Sequence, residues 1–576
     1  MNLKKSLLCT ISLFLAGLLL SGSELTPGAC GAEKEMKPVL VASASGVDRF
    51  WEGIERIGEV MGYKDNVVGF RMVFGETQGV DTTKPLGFIV LANEKDYVAY
   101  SFFPVADFDA LEIGMLDKST WNINEEKGRR IFISEDGKRM ELIQRDGWLF
   151  VVEEGKGELI PAGDPSELTK SLNEDFLIGV KVDPAHCPKA LLDTLFAWFR
   201  QQSANTDASV LEQMNRLSAF VTLLSEDVIS FDLGLNIDDN GNLSLVSSIK
   251  PEPGTEFAKA MEQSVSMKTK WSSLFESDAV FAGYLTEAST PELKEYTRES
   301  YQISFDNMLS EMEIYLDEDD NIDLVKGILS DFQAIVEDML VRDKVDGAVS
   351  LTQESILMFG SDMTDTDKAR EFLKKLQTWI QESEPELADK FVLDAPAVGE
   401  YQVSTFILPF DDIAALSETV AMASLFEERE LAFVVGVGKD SVIMLAGLDA
   451  ETTLAKFNEV AAAPVTETEL PEIRSYLAFP KLGELLSVFI SAEANESDFL
   501  PVLAKIMSNA SAEARIEGRA QFNDGAILND CVVKGECFAM IGDLIRAVAS
   551  EEAYDPDLDE SELFEEEETA EEEEAL

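Results

Sequence analysis

A unit of two short strands followed by a helix recurs along this chain, and it limits the fold more than any other feature. The clearest copy spans residues 346–383. Apolar residues alternate at Val349 and Leu351, a polar turn follows, and the apolar run 356–359 leads back, which predicts a β-hairpin. The next segment carries an apolar stripe at helical spacing, formed by Ala369, Phe372, Leu373, Leu376, Trp379 and Ile380.

Similar units begin at Asp346, Glu430 and Ala514, two steps of 84 residues each. Single strand–helix segments alternate with them. Because the period and the order of elements agree, we expect internal duplication. The predicted fold class is α+β, with tandem hairpin–helix (ββα) and strand–helix modules that form antiparallel sheets with helices on one face.

The segment 229–249 is another strong hairpin prediction. Apolar residues alternate strictly with polar ones from Ile229 to Ile237, and Asp239-Asn240-Gly241 follows as a turn. Such alternation is typical of a strand pair with one buried side and one wet side.

The length of 576 residues predicts several domains rather than one simple core. Residues 1–32 are expected to form a signal peptide and a short mature N-terminus. We expect three α+β domains, at 38–225, at 226–395 with long helices, and at 396–550. Residues 551–576 are expected to be a disordered acidic tail, because acidic runs with few apolar residues cannot bury a core.

The N-terminus has the pattern of an export signal. Lys4 and Lys5 precede the apolar run 7–20, and small residues follow at 21–23 and 28–32. Cys30 stands where a lipoprotein signal would place a cysteine, but Pro27 replaces the leucine of such signals. No later stretch resembles a transmembrane helix. We therefore expect an exported protein, periplasmic or extracellular.

The charge balance excludes some partners. Lys and Arg number 47 against 109 Asp and Glu, which gives a formal net charge of −62. Such a surface repels phosphate backbones and anionic headgroups, so nucleic acid and electrostatic membrane binding are disfavoured. The acidic tail either docks a basic partner or serves only to keep the chain soluble.

No catalytic or cofactor-binding residue is predicted. His186 is the single histidine and lies beside Cys187, but their position in a strand-to-helix turn indicates a structural role rather than a nucleophile pair. The chain has no serine-hydrolase, zinc-protease or P-loop motif. Among so many acids, no carboxylate pair can be singled out for hydrolysis.

Two sets of residues are candidates for a metal and a disulfide. Asp317, Asp319, Asn321 and Asp323 form an acidic loop that could bind calcium weakly, although Ile322 replaces the glycine of an EF-hand. The alternative is a solvated loop. Cys531 and Cys537 flank Lys534-Gly535 and are close enough along the chain to pair across a turn.

Four parts of the chain form a recognisable pattern, namely 82–87 with 103–108, 146–151, 176–183, and 233–249 with 253–255. Together they resemble a family of large, exported, uncharacterised proteins of planctomycete bacteria. The resemblance covers about residues 40–380 and implies export and repeated α+β modules, but no active site.

These observations favour a non-enzymatic exported protein that acts as a binding or structural component of the periplasm or cell envelope. One alternative is a carrier of an apolar, lipid-like ligand in a groove between sheet and helices. Another is a carboxylate-based hydrolase. A continuous apolar cavity would favour the carrier, whereas a polar cleft with two or three converging buried acids would favour the enzyme. If the structure has neither, the binding or structural role remains.

Overall fold

One antiparallel sheet joins almost all the strands in the part of this chain that the structure describes. The computed structural model describes residues 36–74, 79–93, 97–111, 122–126, 129–133, 139–188, 227–276, 278–312, 322–383, 385–409, 430–464, 466–489 and 499–552. The strands are β1 (Lys37–Ala44), β2 (Leu86–Ala92), β3 (Tyr97–Pro104), β4 (Asn122–Glu126), β5 (Arg129–Ile133), β6 (Arg139–Arg145), β7 (Trp148–Glu153), β8 (Ile178–Val182), β9 (Val228–Ile237), β10 (Leu243–Pro251), β11 (Lys268–Thr269), β12 (Phe281–Ala288), β13 (Lys344–Leu351), β14 (Leu357–Asp362), β15 (Phe391–Val398), β16 (Tyr401–Pro409), β17 (Glu430–Val437), β18 (Ser441–Gly447), β19 (Thr468–Glu469), β20 (Ile473–Ala478), β21 (Arg515–Asn523) and β22 (Ala526–Val533).

Helices follow several of the hairpins and single strands, as the sequence predicts. They are α1 (Val47–Met61), α2 (Lys64–Phe74), α3 (Ser166–Asp175), α4 (Glu256–Ser266), α5 (Pro291–Met312), α6 (Ile322–Leu340), α7 (Thr366–Ser383), α8 (Ala450–Ala462), α9 (Phe479–Phe489), α10 (Phe499–Asn509) and α11 (Gly535–Glu552).

Twenty of the described strands form this sheet, and every pairing among them is antiparallel. From one edge to the other the order is β4-β5-β6-β7-β3-β2-β1-β8-β9-β10-β22-β21-β20-β12-β13-β14-β18-β17-β16-β15. Strands β11 and β19 form a separate pair. The predicted α+β class, an antiparallel sheet with helices packed on it, is confirmed.

A group of three strands recurs five times in this sheet. In each group a single strand pairs with the first strand of the next hairpin, as β1 does with β2–β3, β8 with β9–β10, β12 with β13–β14, β16 with β17–β18 and β20 with β21–β22. Adjacent groups are joined by pairing between strands of the same kind. Two single strands pair in β1–β8 and β12–β20, and the second strands of two hairpins pair in β10–β22 and β14–β18. Duplication of the sequence itself stays a prediction.

Strand pairing crosses the predicted domain boundaries. Strand β8 pairs with β9 across residue 225, and β14 pairs with β18 across residue 395. The group β20–β22, from the predicted C-terminal domain, lies between β10 and β12 of the predicted middle domain. The strands of all three predicted domains are therefore hydrogen-bonded into one sheet.

Helices cover both faces of the sheet at β17 and β18. On one face, Val434 and Leu445 pack with Phe457 of α8. On the other face, Val437 packs with Leu373 of α7. β17 has the sequence ELAFVVGV, in which nearly every residue is apolar. Because successive residues of a strand point to opposite faces, β17 is apolar on both faces, and both are buried under helices.

The first and last described helices are in contact. Gly542 of α11 lies so close to α1 that an added Cβ would overlap the carbonyl oxygen of Met61. The Arg546 guanidinium donates a hydrogen bond to the same oxygen at 2.8 Å and lies over the ring of Tyr63. This contact fixes which side of α11 faces the protein.

Candidate functional site

A line of apolar side chains runs across the sheet, perpendicular to its strands. Residues directly opposite each other in an antiparallel pair lie on the same face, so the strand register defines the line. It takes one residue from each of twelve strands, and we call it the apolar row: Ile237, Leu243, Val533, Ile516, Leu477, Phe281, Leu351, Leu357, Ala446, Phe433, Phe406 and Phe391.

The apolar row is buried at its two ends and accessible between them. Ile237 and Phe391 at the ends are buried, whereas Leu357 is 40% exposed and the members from β10 to β13 are half-buried. Leu245 lies two residues after Leu243 on the same face of β10, and its side chain is 48% exposed. Further large apolar side chains of this face that are exposed are Leu233, Leu285 and Phe522. Monomeric proteins seldom leave so continuous an apolar surface open without a use for it.

Helices flank the accessible part of this face. At one end, Gly53 of α1 lies against the side chain of Ile237. At the other end, Phe359 and Phe406 pack with the apolar stripe of α7. Seven strands, from β10 to β14, lie between, and at about 4.8 Å per strand they span about 29 Å. One lipid chain covers roughly 15 Å in half of a bilayer core, so this span is long enough for an extended lipid chain.

A second line beside the apolar row has small residues at its centre. Cys531, Gly518, Ser475 and Gly283 lie opposite one another on β22, β21, β20 and β12. Leucine and valine flank them at Leu245 and Val349. The face is therefore a shallow groove with apolar sides rather than a flat surface.

The predicted disulfide between Cys531 and Cys537 is not formed in this structure. Both thiols are free, since Cys531 is exposed on β22 whereas Cys537 is buried at the start of α11. The Cys537 Sγ lies 3.4 Å from the carbonyl oxygen of Arg515 and is directed into the protein. The change from strand to helix between the two residues turns their side chains apart.

We expect Cys531 to react with a maleimide far faster than the other described thiols. Cys531 is exposed, whereas burial raises the pKa of both Cys187 and Cys537 to about 11, which leaves almost no thiolate at neutral pH. Peptide mapping after brief labelling of a Cys30→Ser variant checks this. Predominant labelling of Cys187 or Cys537 would contradict the placement of Cys531 on the open groove.

The opposite face of the same strands carries a buried ion cluster. Glu517 of β21 is 1% exposed, and its carboxylate contacts Arg515 Nε at 2.7 Å, Lys534 Nζ at 3.4 Å and the Arg519 guanidinium. Burial acts to raise the pKa of Glu517, but the hydrogen bond from Arg519 and the charges of Arg515 and Lys534 outweigh it, so the pKa lies below its usual value.

Asp530 is the second acid of this cluster. It lies opposite Arg519 on β22, and burial raises its pKa. Two carboxyls with pKa values shifted in opposite directions are typical of acid–base catalysis. However, Glu517 is enclosed by three cations and closed to solvent, so a substrate cannot reach it. The cluster is therefore an internal ion network and not the polar cleft that a hydrolase needs.

The single histidine, His186, is paired with Asp183 in the same turn. His186 Nδ1 lies 2.9 Å from Asp183 Oδ2, and Asp183 Oδ1 accepts a hydrogen bond from the His186 backbone N–H. The adjacent Cys187 has a raised pKa and belongs to an apolar cluster. The structural role predicted for this turn stays a prediction.

Two recesses on the surface are polar. One, of about 750 Å³, lies at the start of α7 and is lined by Asp365, Asp367, Asp394 and Glu400 with Arg370 and Lys439. Arg370 is already bonded to Asp367 at 2.7 Å and to the Gly438 carbonyl oxygen at 2.9 Å. The other, of about 580 Å³, contains the ion pair of Lys456 with Glu276 at 2.6 Å. Polar residues form most of the lining of both recesses.

The calcium prediction is not tested by the structure. Asp317, Asp319 and Asn321 lie outside the described residues, and Asp323 falls in the first turn of α6, where only the backbone is described. Within the described ranges, no group of three or more His, Cys, Asp or Glu side chains could hold a metal ion. The carboxylate of Asp238 in the β9–β10 turn is occupied by hydrogen bonds from Asn240 and Asn242.

Comparison with known proteins adds no functional assignment. No protein-family model and no curated protein matches the sequence. A crystal structure of TP0453, in crystal form IV, is similar over 38% of this chain and 81% of that one, at 11% identity and a TM-score of 0.20. Similarity at this level carries no argument on fold or function. The planctomycete resemblance accordingly stays a prediction.

No helix in the part of the chain that the structure describes is long and apolar enough to cross a membrane.

Proposed function

We propose that this chain is an exported, non-enzymatic binding protein that holds an apolar, lipid-like ligand against the accessible part of the apolar row. The observation that carries the proposal is the row itself, which continues over the seven strands from β10 to β14 and is flanked by α1 and α7. Its members there are half-buried, except for the exposed Leu357. An enzymatic role has no comparable support, because the buried acid Glu517 is neutralised and inaccessible.

The charge of the chain narrows the ligand class. With a net charge of −62, the protein repels anionic amphiphiles at long range. A neutral or zwitterionic apolar molecule suffers no such repulsion, and burial of its chain on leucine and valine side chains contributes about 25 cal/mol for each Å² removed from water. We therefore propose a ligand with an uncharged or zwitterionic head and at least one extended apolar chain.

Binding of the neutral dye Nile red, followed by its emission, tests this proposal. We expect Leu245→Ser combined with Leu357→Ser to weaken dye binding by about tenfold, because each change removes an exposed leucine from the groove and about 1.4 kcal/mol corresponds to tenfold in affinity. Both side chains are exposed, so the variant should keep the stability of the wild type.

The matched control is Leu454→Ser, which removes a leucine of similar exposure (39%) from α8. It should bind the dye as the wild type does. Equal dye binding by the wild type and the groove variant would contradict the proposed function. An environment-sensitive fluorophore on Cys531 gives a second reading, since a ligand in the groove should shift its emission to the blue.

A further inference from the structure

The apolar row crosses one junction of the sheet at which strand pairing is short. The single strands β12 and β20 meet there, and the paired residues are Phe281 with Leu477, Ala282 with Tyr476, and Gly283 with Ser475. One more backbone hydrogen bond, from the Ala478 N–H to the Val280 carbonyl oxygen at 2.8 Å, continues this contact. The other junctions between groups are paired over five (β1–β8), six (β14–β18) and seven (β10–β22) residues of each strand. The β12–β20 junction is therefore the shortest of the four.

The chain connects the two sides of this junction through two neighbouring segments. Strands β1–β10 and β20–β22 lie on one side, and β12–β18 lie on the other. The connection from α4 to β12 contains β11, and the connection from α8 to β20 contains β19. These two short strands pair with each other, at Lys268–Thr269 and Thr468–Glu469. Connections of a few residues that lie side by side are typical of a hinge between two bodies.

On the face opposite the row, side chains pack firmly across the junction. The Phe275 ring stacks on the Tyr284 ring with 4.5 Å between centroids, and it contacts the Tyr476 ring edge-on at 5.5 Å. Helix α4 adds a hydrogen bond at 2.8 Å from the Ala288 N–H on β12 to Ser264 Oγ. These contacts hold β12 beside β20 on this face and provide a pivot.

On the row face, the junction is sparsely filled. Phe281 and Leu477 lie opposite each other, but Gly283 and Ser475 beside them are small. A Cβ placed at Gly283 would lie 3.5 Å from Ser475 Cβ, an ordinary van der Waals distance. Because the opposite face is packed, bending at the junction widens or narrows the row face.

The two strands part directly after Gly283. If pairing continued, Tyr284 would lie opposite Arg474, but the Arg474 guanidinium instead donates a hydrogen bond to the Val265 carbonyl oxygen of α4 at 2.9 Å. Its Nη1 atom is enclosed and has no hydrogen-bond partner among the described residues. An enclosed donor without a partner costs free energy, so it reduces the free energy needed to change the present form of the junction.

We propose that the β12–β20 junction is a hinge, and that the groove admits and releases its ligand by bending there. The junction lies in the middle of the accessible row, between Leu477 and Phe281, so bending changes the distance between α1 and α7 at its two ends. This inference rests on the proposed function of the groove, but the motion itself is measurable without a ligand.

A reversible lock on the row face tests the hinge. Gly283→Cys combined with Ser475→Cys places two Cβ atoms 3.5 Å apart, at the lower end of the range of about 3.5–4.5 Å that disulfides adopt. The disulfide should hold the row face closed, and reduction should release it. The matched control, Ser247→Cys with Asn529→Cys, joins opposite residues of β10 and β22, where pairing is already long.

Spin labels on the two flanking helices report the bending. Glu52→Cys on α1 and Lys374→Cys on α7 replace exposed residues, in a chain that also carries Cys30→Ser and Cys531→Ser. Maleimide labels are attached after the lock has been oxidised. Their thioether bonds survive its later reduction, so pulsed electron paramagnetic resonance measures the same molecules in both states.

We expect a broad distribution of label distances when the lock is reduced and a narrow one when it is oxidised. The oxidised control disulfide should leave the distribution broad. The oxidised lock should also slow the release of Nile red about tenfold, because the groove no longer bends. Equal distributions in the oxidised and reduced lock, or unchanged dye release from the oxidised lock, would overturn the hinge. A wild type that does not bind the dye would contradict the proposed function instead, and the distance measurement would still decide whether the junction bends.

Discussion

Replacement of Glu517 by glutamine should destabilise the protein by about 3 kcal/mol near neutral pH. The change removes the one negative charge that Arg515, Arg519 and Lys534 share, and leaves these three cations facing each other in a poorly solvated site. Breaking a buried ion pair from one side costs about 3–5 kcal/mol, and the partial exposure of the three cations places this case at the lower end. Urea unfolding at pH 7, followed by circular dichroism, measures the loss.

The same variant should show a characteristic pH dependence. Because the folded pKa of Glu517 is lowered, its contribution to stability is complete above the unfolded pKa of about 4.3 and is lost as the pH falls through the folded value. The difference between wild type and Glu517→Gln should therefore be constant above about pH 5 and shrink below about pH 4.3. The control Glu513→Gln removes an exposed partner of Arg515 and should change stability by less than about 0.5 kcal/mol. A loss of equal size for both variants would show that burial of Glu517 is unimportant.

Replacement of Phe457 by alanine should cost about 3–5 kcal/mol. This side chain of α8 is completely buried and packs with Val434, Leu445 and Tyr401 on one face of the sheet. Removal of a buried phenylalanine loses its transfer free energy and leaves a cavity. Urea unfolding measures the effect, and Leu454→Ala on the same helix, where the side chain is 39% exposed, should change it by less than about 0.5 kcal/mol.

Gly436 provides an independent check of that packing. An added Cβ at Gly436 would overlap the ring of Phe457, so Gly436→Ala alone should cost about 1–3 kcal/mol through overpacking. A smaller residue at position 457 makes room for this methyl group. The double variant Gly436→Ala with Phe457→Leu should therefore lose less than the sum of the two single changes, by about 1 kcal/mol. Strict additivity would show that the two residues are not in contact.

Local periodicity predicts the modules of this fold but not their neighbours. The alternation of Val349 with Leu351 and the helical stripe ending at Ile380 predict the hairpin and α7, and the structure confirms both. No local pattern specifies that Leu243 lies opposite Val533, because strand pairing over such distances depends on tertiary contacts. Local patterns predict domain boundaries at 225 and 395, but strand pairing bridges both positions.

The same limit applies to the candidate site. Alternation in 229–249 identifies two sides of a hairpin but not which side is covered. In the structure Leu233 and Leu245 are exposed, whereas the polar Ser230 is buried. The apolar row could not be derived from the sequence, since its members are neighbours only through pairing. In contrast, the spacing of Arg515, Glu517 and Arg519 places their side chains on one face of a strand and could have indicated an ion cluster, although not its burial.

Native mass spectrometry of the mature chain, before and after mild organic extraction, tests the central claim most directly. We expect an additional lipid-sized mass that extraction removes, and we expect this mass to be reduced in the variant that combines Leu245→Ser with Leu357→Ser. Leu454→Ser should retain it. A bare polypeptide mass before extraction in the wild type, or equal retention of the ligand by the groove variant, would contradict the assignment of the accessible apolar row as the binding surface.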